Sequence, residues 1–164
     1  MATKQITVQR FSVTSSKSFQ DVVAAIETKI GRPDMNKFKR DVGKSRTEDE
    51  LKEVVNEAVG TSDLMEMARF DQGEVLRREL GDKAPRVLRI VAGNPLIMKE
   101  MVKLVPDAGS YAPVTILIDE RSDGVHLSYG RMVSLLASYG NAEAVKVAQS
   151  LDSKIETLLE AAAS

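Results

Sequence analysis

Arg89 is the residue whose chemistry is hardest to explain by folding alone. It lies within Val87–Ala92, a stretch that alternates with a period of two and is rich in β-branched residues, which predicts a strand. A charged group on an apolar strand costs free energy unless its charge is met. Two interpretations follow: an internal ion pair with Asp71 or Glu66, and a clamp that binds the carboxylate or phosphate of a ligand.

His126 and Asp71 are the candidate catalytic residues, because either could move a proton. An unperturbed imidazole has a pKa of about 6.5, so His126 could act as an acid or a base at neutral pH. It lies in a second predicted strand, and Ser128 follows on the same face. Nothing in the sequence places a carboxylate beside these two residues, so a Ser-His-acid triad is unsupported. The alternatives are a partly exposed sheet histidine and, for Asp71, a helix cap.

Gly93-Asn94-Pro95 marks a change from strand to helix. Asn94 suits an N-cap and Pro95 the first helical position. Because the same helix start offers free amides to an anion, Asn94 is also a candidate ligand-binding residue. The three spaced glycines of a dinucleotide site are missing, so that site is disfavoured. Tyr129 could line an opening, with packing in the core or at its rim as the alternative.

Composition excludes several classes of function. The chain has 164 residues, no cysteine, one histidine and a formal net charge of -1. Without cysteine there are no disulfides or thiolate sites, and one histidine leaves only carboxylates as metal ligands, so we expect no metal and no cofactor. The small charge and the few aromatic residues argue against nucleic acid as a partner. No membrane-spanning apolar run or signal segment occurs, which predicts no membrane partner and a cytoplasmic location.

Hydrophobic periodicity and cap residues predict a single α+β domain over 1–164, with helices packed on a mixed or antiparallel sheet of about five strands. Residues 31–46 are polar and basic and are predicted to form a loop or a short helix. Strand 87–92 is apolar on both sides, so it should be central and covered on both faces. Helix 95–105 should be buried on most of its circumference. The predicted strands are 6–13, 64–70, 87–92, 113–120 and 125–129, and the predicted helices with their caps are 19–30, 47–60, 71–81, 95–105, 131–139 and 141–162.

The stretch VLRIVAGNPLIMKEMVKLVPDAGSYAPVTILIDERSDGVHLSYG resembles the family called domain of unknown function 302. In that family a strand leads into Gly-Asn-Pro and a helix, and a proline and a hairpin ending near a tyrosine follow. The matching residues here are Gly93, Asn94, Pro95, Pro113 and Tyr129. FQDVVAAIETKIG and the C-terminal helices over 131–164 are similar to the family as well, which leaves 31–60 as a divergent basic loop and helix. The resemblance implies a compact α+β domain, a homodimer and no established activity.

One departure from the family concerns Asp71-Gln72-Gly73. Family members carry Asp-His-Gly at this place, so Gln72 stands where a histidine would, and any role of that imidazole in metal binding or proton transfer is lost here. Gln72 joins Arg89, Asn94 and Tyr129 as a candidate ligand-binding residue. Methionines are expected mainly in the core, and a cavity between the helices and the sheet would be made adaptable by them.

The leading hypothesis is a domain that binds a small, partly apolar molecule, with an anionic group as a further option. The first alternative is a cofactor-independent lyase or isomerase that uses the same pocket. In that alternative Arg89 holds an anionic group, and His126 or Asp71 moves a proton. The second alternative is a protein–protein interaction module that uses the C-terminal helix.

Overall fold

Strand pairing organises the chain into one antiparallel sheet, which confirms the α+β class. The computed structural model describes Met1 and residues 3–164. The strands are β1 (Arg10–Ser15), β2 (Met65–Asp71), β3 (Val87–Gly93), β4 (Val114–Arg121) and β5 (Gly124–Gly130), in the order β1-β5-β4-β3-β2 across the sheet. The helices are α1 (Phe19–Glu27), α2 (Met35–Lys44), α3 (Glu48–Ala58), α4 (Gln72–Leu80), α5 (Pro95–Leu104), α6 (Met132–Ala137) and α7 (Ala142–Ala163).

Two elements differ most from their predictions. β1 begins at Arg10 rather than at residue 6, because its partner β5 ends at Gly130, opposite Arg10. Within 31–46 the structure has a regular helix, α2, where a loop or a short helix is predicted. Asp34 starts this helix by accepting hydrogen bonds from the amides of Asn36 and Lys37. None of the helices that the structure describes is long and apolar enough to cross a membrane.

The sheet is covered by helices on one face, which we call the inner face. Ile90 and Ile118 point to this face and are fully buried, and helices α1 and α7 supply Ile26 and Ile155 to the same core. The expectation that β3 is covered on both faces is therefore wrong. On its other side Arg89 is exposed and the neighbouring valines are only half-buried. We call this second side of the sheet the outer face.

Helix α5 is less buried than its composition predicts. Of its 10 residues Met101 alone is buried, and Leu104 is 37% exposed. The physical reason is that α5 packs on α7 and α3 and leaves its other sides open to solvent. An apolar helix composition thus does not by itself identify a helix enclosed on all sides.

Asp152 on α7 fixes the junction between the sheet and the C-terminal helices. Its side chain is 1% exposed and accepts hydrogen bonds from the amides of Met132 (2.8 Å) and Val133 (2.9 Å) and from the hydroxyl of Tyr129 (3.1 Å). Burial raises the pKa of Asp152, while the hydrogen bonds oppose that shift. Because Arg131 supplies no side-chain cap, Asp152 caps α6 from another helix.

Replacing Asp152 should destabilise the fold. Asp152→Ala is expected to lower the free energy of unfolding by about 2–4 kcal/mol, because two amides at the start of α6 lose their acceptor. Urea denaturation followed by circular dichroism measures this change. The control is Ser153→Ala, which removes an exposed hydroxyl on the same helix and should leave stability nearly unchanged. Equal stability of the two variants would contradict the assigned role.

Candidate functional site

The residues singled out from the sequence lie in separate parts of the fold. Arg89 and His126 share the outer face of the sheet, on β3 and β5. Asp71 and Gln72 lie where β2 meets α4, Asn94 lies at the start of α5, and Tyr129 is in the core. One site that contains all of them does not form.

His126 has a carboxylate neighbour that the sequence did not reveal. Its Nε2 lies 2.8 Å from Oδ1 of Asp123, across the β4–β5 turn, and its Nδ1 lies 3.4 Å from Oγ1 of Thr14. The hydrogen bond with His126 lowers the pKa of Asp123. Asp71 is on β2, which β3 and β4 separate from β5. The two predicted proton-transfer residues therefore do not act on one another.

Asp71 and Gln72 are explained by the start of a helix. Asp71 is the N-cap of α4, where it accepts from the amide of Glu74 at 2.9 Å, and it also accepts from Nη2 of Arg77 at 2.9 Å. The hydrogen bond from Arg77 is the main cause that lowers the pKa of Asp71. Gln72 is the first residue of α4, and its side chain is exposed.

Arg89 pairs with neither of the acids considered for it. Glu66 binds Arg69 instead, at 2.7 Å, and Asp71 binds Arg77. Arg89 donates from Nη2 to Oγ1 of Thr115 at 3.3 Å and lies near an aromatic ring, and no carboxylate in the described part of the chain forms an ion pair with it. It lines an open groove of about 640 Å³ on the outer face, together with Arg10, Tyr111, Leu117 and others. We call this cavity the outer groove.

A second, more apolar cavity lies beside Gly93-Asn94-Pro95, with a volume of about 250 Å³. We call it the methionine pocket. Lys39 is the charged residue in its wall; Lys37 on the same helix pairs with Asp41, whereas no carboxylate in residues 1 and 3–164 pairs with Lys39. Its apolar lining includes Met35, Phe38, Met67, Met98, Met101 and Leu151.

Asn94 lies in the wall of the methionine pocket, but its polar atoms are already used. Its Oδ1 accepts from the amide of Leu96 at 2.9 Å, as predicted for an N-cap. Its Nδ2 donates to the carbonyl and the carboxylate of Asp63, both at 3.0 Å. The side chain therefore anchors the loop before β2 to the start of α5, which holds this end of the pocket in shape.

Sequence reasoning missed the contribution of α2 to this pocket. Met35 and Phe38 lie three residues apart, the spacing of one helix face, and Asp34 precedes them as a cap. These features indicate an amphipathic helix within the basic segment.

Tyr129, a candidate ligand-binding residue, is 1% exposed, and its hydroxyl donates to Asp152, so it is part of the core. Among residues 1 and 3–164, no group of three or more His, Asp or Glu side chains is placed to hold a metal ion.

Comparison with known proteins gives a family and a fold. Residues 38–162 match the family described as domain of unknown function DUF302. The chain is also similar to a crystal structure of an uncharacterized conserved DUF302 protein from Bacillus stearothermophilus, with a TM-score of 0.64 and 10% identity. That similarity covers 93% of this chain and 97% of the other, and at this identity it concerns the fold alone. No curated protein sequence matches the chain.

The pairing of Asp71 with Arg77 has a measurable pH dependence. Arg77→Gln should raise the pKa of Asp71 toward the ordinary value of about 3.9, because the guanidinium no longer stabilises the carboxylate. A lowered pKa contributes stability above the unfolded-state pKa, and this contribution is lost as pH falls through the folded-state value. Carbon-detected NMR of the carboxyl group follows the titration. Arg78→Gln is the matched control on the same helix, and an unchanged Asp71 titration in Arg77→Gln would contradict the pairing.

Proposed function

The chain belongs to the DUF302 family, whose description assigns no activity, and from the geometry we propose that it binds a small, largely apolar molecule in the methionine pocket. The observation that carries this proposal is a cavity of about 250 Å³ whose lining side chains are apolar apart from Lys39 and Asn94. Ligand cavities in proteins usually measure roughly 300–1,000 Å³, so the ligand is at the small end of the range.

The walls of the pocket combine a fixed end with an adaptable end. Gly93 and Pro113 meet at the fixed end, where a Cβ on Gly93 would lie 3.3 Å from the Cβ of Pro113. Methionines from β2, α2 and α5 form much of the remaining wall, and their unbranched thioether side chains can change rotamer to follow the shape of a ligand. A pocket with such walls suits small apolar molecules of similar shape and tolerates small differences between them.

The position of Lys39 supports the proposal that the ligand carries an anionic group. Its side chain is exposed on α2, beside the methionine pocket, and it has no competing carboxylate in the described residues. An amphipathic ligand would place its apolar part against Met98 and Met101 and its charge near Lys39. Arg89, which sequence reasoning favoured for this task, lines the outer groove instead. The enzyme alternative gains no support from the methionine pocket, because neither His126 nor Asp71 is in its wall.

Octanoate is a direct probe of this proposal, since it has a short apolar chain and one carboxylate. Saturable binding by calorimetry is expected for the native chain. Met98→Trp fills the pocket and should weaken binding about tenfold or more, because the buried apolar chain is displaced. Lys39→Gln should weaken it only a few-fold, as befits an exposed charge.

The matched control for Lys39 is Arg40→Gln, which removes a neighbouring cation of α2 that is outside the pocket wall. It should bind octanoate like the native chain. Thermal unfolding of each variant separates loss of the pocket from loss of the fold. Native-like binding by a folded Met98→Trp variant, or no saturable binding by the native chain, would reject the proposal.

Self-association is a second candidate role, favoured by exposed apolar side chains on α4 and at the end of β2. Phe70, Val75, Leu76 and Leu80 are 51%, 73%, 37% and 47% exposed. The stripe of the C-terminal helix is not available for such a contact, because it is buried in the core. The homodimer implied by the family resemblance would thus use α4. A two-fold contact pairs this surface with itself, and its adjacent Arg78 and Glu79 offer opposite charges to a second copy.

Light scattering after gel filtration tests this second role. The native chain should be a dimer, and Val75→Glu with Leu76→Glu should make it a monomer, because two charges enter the apolar contact. Leu104→Glu is the control, since Leu104 is also exposed but lies on α5. A monomeric native chain, or a dimeric double variant, would exclude α4 as the interface.

A further inference from the structure

Two acidic side chains of the outer face, Asp119 and Asp123, already have hydrogen-bonding partners. Asp119 on β4 binds Arg121, and Asp123 in the β4–β5 turn binds His126. Each of these pairs is formed within the hairpin itself. Within residues 1 and 3–164, neither of these carboxylates forms an ion pair with Arg10 or Arg89.

Two arginines of the outer face, Arg10 and Arg89, have no ion-pair partner among residues 1 and 3–164. Both line the outer groove. Arg10 starts on β1 and donates from Nη1 to Oγ of Ser128 on β5, at 3.4 Å. Arg89 starts on β3 and donates from Nη2 to Oγ1 of Thr115 on β4, at 3.3 Å. Because β4 and β5 are neighbours in the sheet, the two guanidinium groups lean toward each other.

The register of β4 and β5 sets the distance between the two hydroxyl groups that Arg10 and Arg89 contact. Leu117 pairs with Ser128, so Thr115 and Ser128 are diagonal neighbours on the same face. Such neighbours lie about 7–8 Å apart, so the two hydroxyls that Arg10 and Arg89 contact are close enough for one tetrahedral oxyanion to bind near both. Gly130 lies in this part of the groove and has no side chain, and Cγ1 of Val8, 3.2 Å from where a Cβ of Gly130 would be, borders the space beside it.

The site has further features of a preformed anion site. Two like charges close together repel each other, and a bound dianion removes that repulsion. The hydroxyls of Thr115 and Ser128 accept from the arginines, so each keeps its own hydrogen to donate to a ligand. The ring of Phe70 lies 5.7 Å from the guanidinium carbon of Arg89 and helps to orient it.

We infer that the outer groove binds a phosphate monoester, with its phosphate held between Arg10 and Arg89. Two planar guanidinium forks approach from different strands and can each give paired hydrogen bonds to different oxygens of one tetrahedral group. The groove of about 640 Å³ exceeds what a phosphate needs. Val91, Leu117 and Tyr111 in its wall would contact the organic part of the ligand.

This inference is independent of the methionine pocket. The two cavities share the segment 112–114 as a wall, but Arg10 and Arg89 line the outer groove, and Lys39 lines the pocket. Octanoate has a single negative charge and tests the pocket. A phosphate ion tests the outer groove. Octanoate binding and phosphate binding can therefore each be observed or absent independently of the other.

Inorganic phosphate is the probe for the test, titrated into the native chain at constant ionic strength and followed by amide NMR. Saturable shifts are expected around Thr115 and Ser128. Arg89→Gln and Arg10→Gln should each weaken binding about tenfold or more, since each removes charge-assisted hydrogen bonds. Arg89→Lys keeps the charge but loses the fork and should give an intermediate affinity.

Arg40→Gln controls for total charge, because it removes one exposed cation on α2 that does not line the outer groove. It should bind phosphate like the native chain. Succinate and chloride are the competing anions. Tighter binding of succinate than of phosphate would overturn the phosphate assignment. Three results would each overturn the site. They are equal weakening of phosphate binding by Arg40→Gln and Arg89→Gln, saturable chloride binding at the same amides, and no saturable phosphate binding by the native chain.

Discussion

One buried carboxylate holds the parts of this fold in place. Asp152 is almost fully buried, and its charge is tolerated because two amides of α6 and the hydroxyl of Tyr129 donate to it. These bonds connect α7, α6 and β5. Leu151, the residue before it on α7, contributes to the wall of the methionine pocket. The polar network in the core therefore holds the helix that supplies one wall residue of the methionine pocket.

The one-sided arrangement of the helices creates two different chemical environments around the same strands. On the inner face, Ile116 and Ile118 of β4 are fully buried under helices. On the outer face of the same strand, Thr115 and Leu117 are half-buried and line the outer groove. Where β4 begins, segment 112–114 separates this groove from the methionine pocket. Residues 112–114 therefore border both cavities.

The pairing of charges points to anionic ligands. Charged groups around β2 and the start of α4 are used in ion pairs, such as Arg69 with Glu66 and Asp71 with Arg77. In the outer groove and the methionine pocket, the lining cations are Arg10, Arg89 and Lys39, and none of them forms an ion pair within residues 1 and 3–164. With a net charge of -1, this does not follow from an excess of positive charge in the chain. It reflects which of the unpaired cations the folded chain places beside these two cavities.

The sequence by itself determined the elements and their caps, because these depend on residues close together in the chain. Thr47 and Glu50 form the capping box of α3, Asn94 caps α5, and alternation located β3 and the β4–β5 hairpin. The tertiary structure alone decided which face is covered and which charge meets which partner. Arg10 meets Ser128 across 118 residues, and no local pattern records that contact. Arg89 was recognised as unusual from its neighbours, but its groove exists only because distant strands align beside it.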